Sequence, residues 1–180
     1  SELSMTEIQN LIKRENLSLA DNLYRFIEQH FDAYPFSRLL QIAEYANAAR
    51  SETAAYFTRI DIAFGLVNAL PDFKKKKNLR ILEPSVGIGN FIPLLAKKYA
   101  DKEKVIFDLV DIDSNSLNLL SLLLKKLNLG SKFEFNIIHQ DFLTATLPEN
   151  YDLVIGNPPY GKVKASDKNL ALYRKNATNK

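Results

Sequence analysis

"KKKKNLRILEPSVGIGNF", Lys74 to Phe91, is where the character of the chain changes. Ahead of it, apolar residues recur at helical spacing. Within it, the apolar run Leu79–Glu83 stops at a proline and two glycines, which predicts a short strand that turns into a helix over Phe91–Tyr99. Lys74 to Lys77 read either as a solvated loop before the strand or as a basic loop that meets phosphate. The Gly-x-Gly of "VGIG" is weak evidence by itself. A dinucleotide fingerprint needs a third small residue three positions after the second glycine, and Ile92 stands there. No Gly-Lys-Ser/Thr follows, so a phosphate-cradling loop is excluded.

Downstream, the pattern alternates. Val105–Asp111 reads as a strand, Asn115–Leu127 as a leucine-rich helix, Phe133–His139 as a strand and Tyr151–Gly156 as another. Strands separated by helices of this length predict βαβ units, hence an α/β fold with a parallel sheet buried by helices on both faces. Right-handed crossovers would bring every strand's C-terminal end to one edge, where open sheets of this kind bind ligands. The loops at that edge are "EPSVGIGNF", "DIDSNS", "HQDFL" and "GNPPYG". Glu83, Asp111 and Asp141 all end strands there. Three carboxylates repel a phosphate and attract a cation. Taken singly, Asp111 and Asp113 fit equally well as acids favoured by the start of a helix, and "GNPPYG" fits a rigid turn that ends a strand.

Upstream, Ile8, Leu11 and Ile12 keep one face, Leu23, Ile27 and Phe31 a second, and Phe36, Leu39, Leu40 and Ala43 a third. These predict helices, with Pro35 separating the last two, that serve as a cap or an interaction element. A further helix starts at Ile60 and stops at Pro71. His30 has no second ligand at metal spacing and reads as structural or surface. With 46% hydrophobic and 25% charged residues, the composition is that of a soluble globular protein. No window approaches the roughly 18 apolar residues of a membrane span, and the N-terminus lacks a secretory layout, so a cytoplasmic location is expected. The absence of cysteine excludes disulfides and thiolate metal sites. The segment after Tyr160 carries six bases against Asp167 alone, so any attraction for nucleic acid would lie there and not on the acidic first 55 residues. The plainer reading of such a tail is solubility and disorder.

"LEPSVGIGNF", "DLVDIDSNSL", "QDFL" and "GNPPYG", in that order, resemble the motif series of S-adenosylmethionine-dependent DNA adenine-N6 methyltransferases. The match is to the gamma-type motif order, in which the cofactor motifs come before the Asn-Pro-Pro-Tyr segment. "AYFTR" resembles that group's upstream motif, with Arg59 in place of the usual proline. The resemblance implies a partial Rossmann-like methyltransferase sheet over residues 56–161; residues 1–55 lie outside it and read as a helical segment, and residues 162–180 as a basic, flexible tail. The family's further strands and target-recognition region are missing, so the chain alone is expected to be inactive, whether as a fragment or as a subunit. It also implies a partner: duplex DNA with a flipped adenine, and a restriction endonuclease or the missing C-terminal half.

The same resemblance assigns roles. Tyr56, Phe57 and Thr58 would close over the methionine part of S-adenosylmethionine, and Glu83 would face its ammonium or order the loop around it. Ser85, Gly87, Gly89 and Phe91 would form the cofactor loop, the glycines letting the backbone pass close. Asp111 would accept from the ribose hydroxyls, with Ile112 against the adenine face. Asp141 would accept from the cofactor's adenine amine, with Phe142 packed on the ring. At the substrate, an exocyclic amine is a poor nucleophile because its lone pair is delocalised into the ring. The Asn157 side-chain carbonyl and the Pro158 carbonyl would accept its protons and favour a tetrahedral nitrogen, and Pro159 would stiffen the turn. Tyr160 would stack on the flipped base. The sulfonium is already an activated leaving group, so no metal is required. The tetrapeptide also resembles that of enzymes modifying glutamine side chains in proteins or guanine in ribosomal RNA. The Glu-Pro ahead of the glycines and the Asn-Phe after them are closer to the DNA adenine group.

Overall fold

The computed structural model describes residues 3–50 and 60–157. Three helices come first: α1 (Met5–Arg14), α2 (Ala20–Gln29) and α3 (Phe36–Arg50). Ser4 starts α1 with a reciprocal cap. Its hydroxyl accepts from the Glu7 N–H, while the Glu7 carboxylate accepts from the Ser4 N–H at 2.8 Å. α4 (Ile60–Ala69) leads into β1 (Asn78–Pro84), then α5 (Ile92–Lys98), β2 (Lys104–Asp111), α6 (Ser114–Leu127), β3 (Phe133–His139) and β4 (Leu153–Val154). The four strands form one parallel sheet in the order β3-β2-β1-β4.

The period-2 alternation of the strands divides their side chains between two faces. Leu79 and Ile81, Val105, Phe107 and Leu109, and Phe133 share one face. They form a single apolar cluster with Ala63 and Val67 of α4, Ile92 and Leu95 of α5, and Leu117 and Leu120 of α6. The opposite face carries Arg80, Asp108 and Asn136, joined by hydrogen bonds. The expected partial Rossmann-like sheet is thus present, and within the described residues these three helices meet it through one face.

The density of leucine in α6 has a physical reason. Leu117 and Leu120 lie against the sheet, while Leu119, Leu122 and Leu123 lie against α2 and α3 in a second cluster with Leu23, Ile27, Leu39 and Ile42, which Ile8 of α1 completes. A helix buried on two sides needs apolar residues on both. Each such leucine contributes about 1.5–3 kcal/mol through burial. The helices of the first 50 residues are therefore seated on the outer side of α6.

The fourth strand is shorter than the Tyr151–Gly156 run predicts. Only Leu153 and Val154 pair in the ladder, opposite Ile81 and Leu82, with Asp152 and Ile155 adding one backbone bond each to β1. The run breaks at Gly156, where any Cβ would lie 2.7 Å from the Pro84 carbonyl oxygen. The basic loop ahead of β1 sits at the N-terminal edge, opposite the ligand edge. There Lys76 pairs with Asp152 and Lys77 with Glu103, consistent with an ordinary surface loop.

Candidate active site

Parallel pairing brings the C-terminal ends of the strands together. Pro84 lies opposite Val110, and Asp111 opposite His139. The loop after β1 then folds back over β2. The Val86 N–H donates to the Val110 carbonyl at 2.9 Å, and the Gly87 N–H donates to Asp111 Oδ2 at 2.7 Å. The other Asp111 oxygen accepts from the Asp113 N–H at 2.9 Å. Asp111 therefore ties the glycine loop to the turn after β2, and each of its oxygens keeps a lone pair for a further donor.

Taken singly, Asp111 and Asp113 both fit the start of a helix, and the strand-end position favours Asp111 for a site; the structure separates them by their partners. Asp113 is the N-cap of α6. One of its oxygens accepts from the Asn115 N–H and the other from the Ser116 hydroxyl at 2.7 Å. Asn47 of α3 donates to that same hydroxyl, so the N-terminal helices reach the edge of the site. Nothing in the spacing of Asn47 signals this contact, because it spans two distant segments.

The glycine loop is built on left-handed backbone: Ser85 has φ 57°, Gly87 57° and Gly89 85°. The two glycines serve different needs. A Cβ at Gly89 would come within 2.7 Å of Ile92 and Leu120, so its demand is internal packing between α5, α6 and the loop. A Cβ at Gly87 meets no protein atom within 4 Å, so this glycine borders open space. Ser85 adopts a conformation uncommon outside glycine and asparagine, a form of strain found often at functional loops. The Phe91 side chain is buried in the sheet core and leaves only its backbone to border the loop.

Glu83 is 2% exposed, and among the described residues its Oε2 has no hydrogen-bond partner. Burial, followed by the charge of Asp111, pushes its carboxyl well above the usual carboxylate range. A buried carboxylate oxygen with no donor is costly and is satisfied by a cation. Asn90 adds a second buried oxygen without a partner in the same loop. Beside these polar groups the edge shows apolar surface, with Ile112 66% exposed and Phe142 also exposed. Asp141 holds its own turn, its Oδ1 accepting from the Leu143 N–H at 3.0 Å. His139, to which the sequence reading gave no role, contacts the Ile112 carbonyl through Nε2 at 3.0 Å and steadies the turn that carries Ile112.

A buried carboxyl that can pass its proton on and pair with a cation, a carboxylate with spare lone pairs, a glycine facing open space and exposed apolar side chains make a site suited to a cationic ligand with hydroxyls and a flat ring. S-adenosylmethionine has these groups, and the residues present fit it. Asn157, half-buried, follows β4 at this same edge. Tyr56, Phe57, Thr58, Pro158, Pro159, Tyr160 and the basic tail lie outside the described residues. Among the described residues, no group of three or more His, Asp or Glu is gathered to hold a metal ion, and no helix is long and apolar enough to cross a membrane.

Comparison with known proteins gives a family and a fold. A family model described as methyltransferase small domain matches residues 53–174. The type II methyltransferase M.CvrRI of Paramecium bursaria Chlorella virus XZ-6E is 38% identical over 111 residues, covering 62% of this chain and 25% of that protein. The type II methyltransferase M.VspI of Vibrio sp. (strain 343) is 32% identical over 115 residues, covering 63% of this chain and 27% of that protein. The chain thus spans about a quarter of the length of these relatives. Among solved structures, a protein of Listeria monocytogenes described as a class I S-adenosylmethionine-dependent methyltransferase matches with a TM-score of 0.59 at 19% identity, over 83% of this chain and 52% of that one, a likeness of fold.

Proposed function

The chain belongs to the methyltransferase small domain family, and from that premise we propose that it serves the transfer of a methyl group from S-adenosylmethionine to the N6 amine of adenine in DNA. The observation that carries the reading is Glu83, a buried carboxylate with an oxygen lacking a donor, set beside Asp111 at the ligand edge of the sheet. Glu83 holds the ammonium of the cofactor, Asp111 its ribose hydroxyls, and Ile112 and Phe142 the faces of its adenine. When bound, the cofactor supplies a methyl group on a sulfonium, already activated for transfer.

The chain's own work is then orientation. Asn157, next after the close contact of Gly156 with Pro84, accepts one proton of the target amine through its side-chain carbonyl. The Pro158 carbonyl accepts the other. Both favour the tetrahedral nitrogen in which the lone pair is free to attack, and neither carbonyl has a competing N–H donor from proline. Tyr160 stacks on the extruded base, worth about 1–3 kcal/mol. The likeness to two type II methyltransferases supports methyl transfer; duplex DNA as the substrate and an endonuclease as a further partner are part of the proposal.

The test, made on a complete protein in which this chain is joined to a target-recognition region, is transfer from labelled cofactor to mixed-sequence duplex DNA, followed by digestion to nucleosides. Label in N6-methyladenine is expected, falling about a hundredfold or more in Asn157→Ala while cofactor binding persists. Label in cytosine, or in RNA or protein glutamine instead of DNA, would overturn the substrate assignment.

A further inference from the structure

The strand that delivers Asn157 is the least supported element of the sheet. Among the described residues, β4 has two ladder residues and a single neighbouring strand. Its lead-in from β3, residues 140–152, contains no helix. A ladder this short specifies register weakly, and a slip of one residue would carry Asn157 about 3.3 Å along the strand and turn its side chain to the other face. Orienting chemistry tolerates far less. A misplacement of about 1 Å costs on the order of a hundredfold.

Side chains supply what the ladder lacks. The Tyr151 hydroxyl, two residues ahead of β4, donates to Asp108 Oδ2 at 2.7 Å. Asp108 is 1% exposed and sits mid-strand in β2. The same oxygen accepts from Arg80 of β1, at 2.9 Å from Nε and 2.8 Å from Nη2, and Oδ1 accepts from Asn136 of β3 at 2.7 Å. The Arg80 guanidinium also lies 5.7 Å from the Tyr151 ring centroid. One buried carboxylate thus ties β3, β2 and β1 to the residue that leads into β4. Asp152 adds a local pin, its Oδ2 accepting from the Arg80 N–H at 2.8 Å. Gly156 closes the far end against Pro84.

We propose that Tyr151 and Asp108 are positioning residues that set the register of β4 and so the placement of Asn157, without touching cofactor or substrate. The claim about activity rests on the role proposed for Asn157. The claim about register does not.

The experiment uses Tyr151→Phe, which removes one hydroxyl and keeps the ring, with Lys77→Ala, the loss of a surface ion pair, as the control. Backbone amide exchange and cofactor binding are read on each chain, and methyl transfer on the complete protein that carries the same substitution. In Tyr151→Phe the amides of Asp152 and Ile155 are expected to exchange about tenfold faster, while those of the β1–β2 ladder hold. Cofactor affinity stays within about twofold, and kcat falls about tenfold or more with KM for DNA little changed. Lys77→Ala moves none of these. Unaltered exchange in β4, or acceleration spread evenly through β1 and β2, would overturn the register claim. Faster exchange with unaltered kcat would overturn its link to catalysis. Absence of adenine methylation by the parent protein would strike the proposed function and leave the exchange result to decide the register claim alone.

Discussion

Glu83 makes stability depend on pH in a direction opposite to that of a salt-bridged acid. Its carboxyl is held well above the usual range by burial and by Asp111. The folded protein therefore keeps a proton that the unfolded chain has released. Stability is fullest below the ordinary carboxylate pKa and declines as pH rises toward the folded value. Each retained proton gives a slope of about 1.4 kcal/mol per pH unit. Glu44 behaves likewise, pushed by burial from 4.5 to about 7, so its contribution is spent once the pH passes neutrality. Urea unfolding at pH values above the ordinary carboxylate range should show the parent chain losing stability as pH rises, and Glu83→Gln losing less over the same range, because the Glu83 part of the slope is gone. A parent profile that Glu83→Gln leaves unchanged would refute the reasoning.

Three further outcomes follow from the same geometry. Glu44→Gln should remove a decline of up to about 3 kcal/mol between pH 4.5 and 7, less whatever solvent screening takes, as read by urea midpoints across that range. Gly89→Ala places a methyl 2.7 Å from Ile92 and Leu120 at a φ of 85°, and should cost about 1–3 kcal/mol in a thermal melt, whereas Gly65→Ala, with open space at its Cβ and a place inside α4, should be neutral or stabilising. Binding of the cationic cofactor should release a proton from Glu83, seen in calorimetry as an enthalpy that varies with the ionisation enthalpy of the buffer. An enthalpy independent of buffer would count against the Glu83–ammonium pairing.

The fold was legible where periodicity is strong. Val105–Asp111 and Phe133–His139 stand in the structure as β2 and β3, the former one residue longer, because apolar runs bounded by turn residues have few alternatives. β4 shrank because its pairing depends on one neighbour and on Gly156, which sequence spacing does not reveal. The Asp108 network was invisible for a related reason. Arg80, Asp108, Asn136 and Tyr151 become neighbours only once three strands take their register. At the site, the strand-end position of Glu83 and Asp111 could be read directly. That one lacks a donor while the other gathers two backbone N–H groups could not, since both facts depend on how the loop after β1 folds back over β2.

The central claim is that the C-terminal edge of this sheet binds S-adenosylmethionine through Glu83 and Asp111. Titration calorimetry of the chain with the cofactor tests it most directly, comparing the parent with Asp111→Ala. One molecule bound per chain, with affinity about tenfold or more weaker once Asp111 is lost, is the predicted result. No binding by the parent chain, or an affinity untouched by Asp111→Ala, would contradict it.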